Sequence, residues 1–301
     1  MFSSRALLTL TSFFWLVACS TQLENAQESN ALESLEGSWR MQSFKVEGDD
    51  SWKQLPGSVV QEKHITSNHF TWIQYETEKD TVYGTGGGTY RYDKDSHTYT
   101  EDIKFFLPAG SNELGQSIPF DVRFEDGEWY HTGYAKVFEF DPDTGDNVVV
   151  DSIKIEEIWE RTDAAVSDES LVGTWQLESF KDHGDSIRTD YPEFVSIFKL
   201  VTPTNFVWIH YITEQDLVLA EGSGTYHSDG TTYTETLKSV YPSGSNQVGT
   251  VMPFESRTEN DTWYLLGNIK RLERDPTSGE MIGKDSATID EVWKRFLGPD
   301  S

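Results

Sequence analysis

The stretch Leu35-Glu36-Gly37-Ser38-Trp39 returns 136 positions later as Leu171-Val172-Gly173-Thr174-Trp175, and the match runs on for more than a hundred residues. His69-Phe70-Thr71-Trp72-Ile73 faces Asn205-Phe206-Val207-Trp208-Ile209, and Gly88-Thr89-Tyr90 faces Gly224-Thr225-Tyr226. After a two-residue deletion the offset becomes 134: Tyr99-Thr100-Glu101 faces Tyr233-Thr234-Glu235, and Ile155 to Arg161 (IEEIWER) faces Ile289 to Arg295 (IDEVWKR). A long, nearly gapless repeat means two copies of one whole domain, not a stack of short units. It also supplies a filter, because a residue essential to a shared activity should appear in both copies.

Each copy alternates with period two and shows almost no 3.6-residue stripe. Phe70-Thr71-Trp72-Ile73-Gln74-Tyr75 and Phe206-Val207-Trp208-Ile209-His210-Tyr211 are dominated by aromatic and β-branched residues. Turn formers punctuate the pattern at Thr66-Ser67-Asn68, Asp93-Lys94-Asp95, Glu125-Asp126-Gly127, Asp141-Pro142, Asp229-Gly230 and Asp275-Pro276. This predicts an all-β chain with about eight antiparallel strands per copy, enough to close a small barrel, with a β-sandwich as the competing architecture. The expected domains are 35–161 and 171–297, joined by the polar linker 162–170. Such a linker leaves the copies to move partly independently or to meet in a modest interface. A domain of this length buries roughly two-thirds of its unfolded surface and can be stable through its core alone.

Gly-x-Trp opening the first strand, with an Arg on the last, resembles the calycin superfamily of lipocalins and fatty-acid-binding proteins. The residues are Gly37-Ser38-Trp39 with Arg161, and Gly173-Thr174-Trp175 with Arg295. The resemblance implies a barrel whose two sheet ends meet where the Arg packs across the Trp ring, a cation on an aromatic face. Each whole copy also resembles bacterial lipocalin-like domains of uncharacterised function. The shared pattern is Thr-x-x-x-Phe-x-Trp (Thr66/Phe70/Trp72 and Thr202/Phe206/Trp208), a Gly-Gly-Thr-Tyr turn, a Tyr-Thr-Glu strand and a closing Glu-x-Trp-x-Arg. The second copy departs at the glycines, with Gly222-Ser223-Gly224 for Gly86-Gly87-Gly88.

Residues 1–18 read as a processing signal, with Arg5 before an apolar stretch too short to span a bilayer comfortably. Leu16-Val17-Ala18-Cys19 resembles the lipobox of bacterial lipoproteins, and Cys19 is the sole cysteine. The resemblance implies cleavage before Cys19, acylation of it, and membrane attachment through that N-terminal lipid only. Residues 19–34, rich in Gln, Asn, Ser and Glu, read as a flexible tether. Ser20 is no acid, and this pattern resembles lipoproteins sent on to the outer membrane of Gram-negative bacteria. A net charge of −27 repels phosphate backbones, so nucleic acid is not expected as a partner.

Charge repeats inside apolar strands. Glu101/Glu235, Arg123/Arg257 and Glu157/Glu291 lie among Trp72/Trp208, Tyr90/Tyr226, Tyr99/Tyr233 and Trp129/Trp263. The candidate ligand-contacting residues are Trp72, Tyr90, Tyr99, Glu101 and Arg123, with Trp208, Tyr226, Tyr233, Glu235 and Arg257 in the second copy. Glu101 is expected to pair with Arg123, as an interior network that either satisfies buried charge or anchors a ligand. No histidine repeats: His64 faces Leu200, His69 Asn205, His97 Thr231, His131 Leu265, and His210 Gln74. A duplicated metal or haem site, a cofactor and a catalytic triad are therefore not expected. The glycine run 84–88 lacks the Lys-Ser/Thr of a phosphate loop and reads as a strand bulge or close backbone contact. Asp141-Pro142-Asp143-Thr144-Gly145-Asp146 suggests a calcium loop less than it suggests a hairpin turn.

Three functional readings follow. The first is a non-enzymatic lipoprotein that binds or carries a small apolar or amphiphilic molecule in calycin-like barrels. The second is an interaction scaffold with filled barrels. The third is an enzyme using Glu101 and Arg123.

Overall fold

In the computed structural model the described residues are 34–297, apart from 143, 146, 164, 165, 167, 182, 183, 214, 216, 244–246 and 276–280. The signal segment 1–18, Cys19 and nearly all of the tether lie outside them, as do Asp143, Asp146 and the turn at 276–280. Among the described residues no helix is long and apolar enough to cross a membrane.

Among the described residues, alternating β-branched and aromatic residues become sixteen strands and no helix. The first eight are β1 (Gly37–Lys45), β2 (Val59–Ile65), β3 (His69–Glu76), β4 (Thr81–Asp93), β5 (Thr98–Leu107), β6 (Ser117–Glu125), β7 (Glu128–Phe140) and β8 (Asn147–Arg161). The second eight are β9 (Gly173–Lys181), β10 (Val195–Val201), β11 (Asn205–Ile212), β12 (Leu217–Ser228), β13 (Thr232–Tyr241), β14 (Val251–Glu259), β15 (Thr262–Arg274) and β16 (Met281–Arg295). Each set forms one closed antiparallel barrel, β8 returning to β1 and β16 to β9. Closure removes sheet edges and excludes the sandwich. At Asp126-Gly127 both residues have positive φ (53° and 84°), which makes the tight hairpin between β6 and β7 that the turn residues predicted.

The ends of each sheet meet at the Gly-x-Trp. In register, Trp39 faces Arg161 and Trp175 faces Arg295. The guanidinium carbon lies 4.3 Å from the Trp39 ring centroid and 4.2 Å from that of Trp175. Arg161 Nη1 donates to Glu36 O at 2.7 Å, and Arg295 Nη1 to Val172 O at 2.7 Å. The glycine of the motif has a physical reason. Gly37 and Gly173 sit at φ +133° and +138°, and a Cβ there would collide with the arginine's Nη1. The glycine run 84–88 contains a register shift between Gly87 and Gly88, a bulge, matched by one between Ser223 and Gly224.

The barrels are not separate beads. Strands β2–β5 lie against β10–β13, so β3 and β11 bury both faces. Phe70 and Phe206 point inward, while Ile73, Tyr75, Val207, Ile209 and Tyr211 are buried on the outer face between the barrels. Phe105 of the first barrel packs on Tyr211 of the second with centroids 5.0 Å apart. Ser38 Oγ meets Thr202 Oγ1 at 2.7 Å, and their repeat counterparts meet in exchange, Thr66 Oγ1 to Thr174 Oγ1 at 2.6 Å. The two copies therefore face each other like an isologous dimer within one chain. On that approximate dyad Thr85 Oγ1 donates to its own counterpart, Glu221 Oε1, at 3.1 Å. Burial pushes the Glu221 carboxyl well above the usual range, opposed only by that hydroxyl.

Divergence between the copies makes the two sides of this contact complementary. Where the second barrel presents Phe198 and Leu200, the first presents Glu62 and His64. Lys238 of the second barrel reaches Glu62 at 3.2 Å, as does Arg40 of the first. The linker takes part: Asp163 Oδ1 accepts from Thr202 Oγ1 at 3.2 Å, and Asp168 Oδ2 from Ser228 Oγ at 2.8 Å. The contact is thus a continuation of both cores, and independent movement of the copies does not fit it.

This generates a test. Trp175→Ala removes the platform under Arg295, and truncating a large buried aromatic costs roughly 3–5 kcal/mol. Because β10–β12 complete the burial of the first barrel, urea should unfold the mutant in one transition, shifted downward as a whole. Two transitions, with the first barrel unmoved, would show independent folding.

Candidate functional site

The register of β2 decides what occupies each interior. Lys63 lies across from Trp39 on β1 and from Trp72 on β3, and Lys199 likewise across from Trp175 and Trp208. Both lysines point inward and are almost wholly buried. Lys63 Nζ donates to Glu101 Oε1 at 2.8 Å, and Lys199 Nζ to Glu235 Oε1 at 2.8 Å. The ammonium of Lys63 lies 4.9–6.0 Å from the centroids of Trp159, Trp129, Phe70 and Tyr99. Lys199 repeats this with Trp293, Trp263, Tyr233 and Phe206, at 5.1–5.8 Å. The rings' negative faces and one carboxylate replace the lost water shell.

The cation that neutralises Glu101 is therefore Lys63, not Arg123. Arg123 sits on the outer face of β6 with its side chain 57% exposed, paired with Glu125 and stacked 4.0 Å over Tyr130. Arg257 repeats the arrangement with Glu259 at 2.5 Å and Tyr264 at 4.2 Å. The reason is alternation: Val122 is buried inward, so its neighbour Arg123 must point out. This removes the Glu101–Arg123 pair as an interior anchor or as catalytic machinery.

Tyr90 and Tyr226 are tied to turns, their hydroxyls donating to Thr66 O at 2.7 Å and Thr202 O at 2.9 Å. Tyr99 and Tyr233 are fully buried in the aromatic floor, against Trp129 and Trp263. Trp72 and Glu101 lie inside the first barrel, and Trp208 and Glu235 border a cavity inside the second.

That cavity measures about 240 Å³. Its walls are mostly apolar, with Trp208, Leu237, Met252, Phe254, Leu265, Ile269 and Ile289; its polar groups are Lys199, Glu235, Glu291, His210 and Gln247. Glu291 Oε2 accepts from Trp293 Nε1 at 3.0 Å. Burial raises its carboxyl above the ordinary range, with Lys199 and the indole opposing. His210 is pushed down to about 4 by burial and next by Lys199, so its imidazole is neutral at physiological pH.

The first barrel fills the corresponding space differently. His131 stands where the second has Leu265, its ring 3.7 Å from Phe120 and 5.0 Å from Trp129 by centroids. Its Nδ1 lies 3.3 Å from Glu157 Oε2, which also accepts from Trp159 Nε1 at 3.0 Å. Glu113, in the place of Gln247, is pushed up to about 7 by burial and then by Glu157 and Glu101. A cleft of about 240 Å³ at this barrel's mouth is lined by Gln61, Gln74, Glu157 and the β1 side chains Met41 and Phe44.

The residues that sequence reasoning missed are Lys63 and Lys199. The signal was present, since they are repeat counterparts, but Gln61-Glu62-Lys63-His64 looks like a solvated polar run. It is polar on both faces because one face meets the other barrel and the other enters the interior. Among the described residues no group of His, Cys, Asp and Glu is arranged to hold a metal ion.

The chain folds as two closed eight-stranded antiparallel barrels in tandem. No protein-family model matches the chain, and no curated protein is significantly similar to it. Among solved structures it is similar to the crystal structure of an uncharacterized protein of Saccharomyces cerevisiae, at 10% identity and a TM-score of 0.42. That match covers 84% of this chain and 96% of the yeast chain.

Removing one partner of a buried pair strands the other charge and costs roughly 3–5 kcal/mol. Lys63→Met should therefore lower the urea midpoint strongly, and adding Glu101→Gln should recover part of the loss. A single mutant that unfolds like the parent would show that the pair carries no structural weight.

Proposed function

We propose that the protein is a lipid-anchored bacterial binding or carrier protein whose second barrel encloses a small apolar or amphiphilic molecule. The observation that carries this reading is the 240 Å³ cavity with apolar walls and a few convergent polar groups. Its size sits just below the roughly 300–1,000 Å³ of ordinary ligand pockets, which suits a short ligand. In the first barrel His131 stands beside Glu157 and the space of similar volume is a cleft lined more by polar groups, among them Gln61, Gln74, Lys154 and Glu157, which suits an apolar ligand less well. The enzymatic reading loses its support with Arg123 on the outside.

The cavity can be tested by filling it. Octanol should bind the full chain at one site by calorimetry, and Ile269→Trp should abolish that binding while the protein melts close to the parent temperature. Equal octanol binding by both proteins would exclude the second barrel as the site.

The anchor rests on the lipobox resemblance of Leu16-Val17-Ala18-Cys19. In this reading Cys19 carries acyl chains and holds the protein to the bacterial outer membrane. Cys19→Ala should move the protein out of the lipid-labelled membrane fraction when expressed in a Gram-negative host. An unchanged fraction and unchanged acyl labelling would exclude the anchor.

A further inference from the structure

The two barrels carry the same buried carboxylate with different surroundings. Glu157 and Glu291 occupy equivalent places on the last strand, and each accepts from the indole two residues on, at 3.0 Å. Each barrel also holds the same lysine–glutamate pair at 2.8 Å, so that pair is common framework and does not distinguish them. In the first barrel a nitrogen heterocycle belonging to the chain stands beside this carboxylate. His131 presents Nδ1 to Glu157 at 3.3 Å while its ring packs on Phe120 and Trp129.

In the second barrel the equivalent of His131 is Leu265, and the imidazole that lines the cavity is His210, standing where the first barrel has Gln74. Beside Glu291 there is instead a cavity, walled by Met252, Phe254, Leu265, Ile269 and Ile289. Lys199 is already engaged by Glu235. Lys199, Glu235 and Glu291 thus line the cavity, and a cation from outside would favour the charged form of Glu291, which burial opposes. Ala135 and Glu113 of the first barrel correspond to Ile269 and Gln247, so the second barrel has one acid fewer and more apolar wall.

We infer that the second barrel takes a small amphiphile whose polar end is a hydrogen-bond-donating nitrogen, an amine seated on Glu291, with its apolar body along Met252, Phe254 and Ile269. The inference rests on the binding role proposed above and names the chemistry of that ligand. In the first barrel His131 stands 3.3 Å from the equivalent carboxylate, where the second barrel has Leu265 and the cavity. The net charge of −27 favours the same class, because an acidic protein raises the local concentration of cations and repels carboxylate amphiphiles.

Three eight-carbon probes that differ only in the head separate the possibilities. Octylamine, octanol and octanoate are titrated calorimetrically into the full chain near neutral pH. Octylamine should bind at least tenfold more tightly than octanol, and octanoate most weakly. A charge-assisted hydrogen bond is worth about a tenfold change or more in affinity, so Glu291→Gln should weaken octylamine by roughly that factor and octanol by much less. A thermal midpoint close to that of the parent shows that the variant is folded. Leu265→His, which copies the first barrel, should erase the preference for the amine. Octanol bound as tightly as octylamine, or octylamine binding indifferent to Glu291→Gln, would overturn the inference and leave the cavity as an apolar site. Failure of all three probes to bind would overturn the binding role itself.

Discussion

An ammonium group enclosed by four aromatic rings and one carboxylate sits at the centre of each barrel, and much of the interior is arranged around it. Lys63 and Lys199 draw side chains from β3, β5, β7 and β8 and from their counterparts around a single atom. A buried charge is expensive unless every direction around it is favourable. This constrains the register of all the strands that contribute, since a slip of one residue would turn each contributing side chain to the other face. The Trp–Arg contact closes the same floor from the outside, where β1 meets the last strand and no edge remains.

Duplication supplied two of these frameworks, and divergence used them differently. The framework residues are the same in both copies, while the residues around them changed in coordinated ways. His131 against Leu265 exchanges a ring that reaches a carboxylate for an apolar wall. Glu62 and His64 against Phe198 and Leu200 exchange a charged outer face for an apolar one. Each exchange makes sense only through its partner: Glu62 is answered by Lys238 of the other copy, and Phe198 packs near His69.

The repeat, the all-β class, the two barrels, the Gly-x-Trp with its closing arginine and the inward position of Glu101 and Glu235 are all legible from the chain. They depend on local alternation and on spacing, which a linear pattern records directly. The glycine of the motif was legible as a pattern but not as a cause, since the arginine that would strike its Cβ is more than a hundred residues away. The partner of Glu101 was misplaced because nearness in sequence singled out Arg123, whereas the strand's own alternation turns that residue outward. Lys63 was hidden in a polar run whose two faces serve two purposes.

The amino-acid sequence by itself determined which residues pair within a strand's face and that there are two like domains, because period and repetition are one-dimensional properties. Tertiary structure alone decided which faces of β2–β4 and β10–β12 are covered twice, which lysine reaches which glutamate, and that the second barrel's cavity has mostly apolar walls where the first barrel holds His131. These depend on how a closed sheet brings distant strands to one point and how two such sheets meet, and no spacing along the chain encodes those distances.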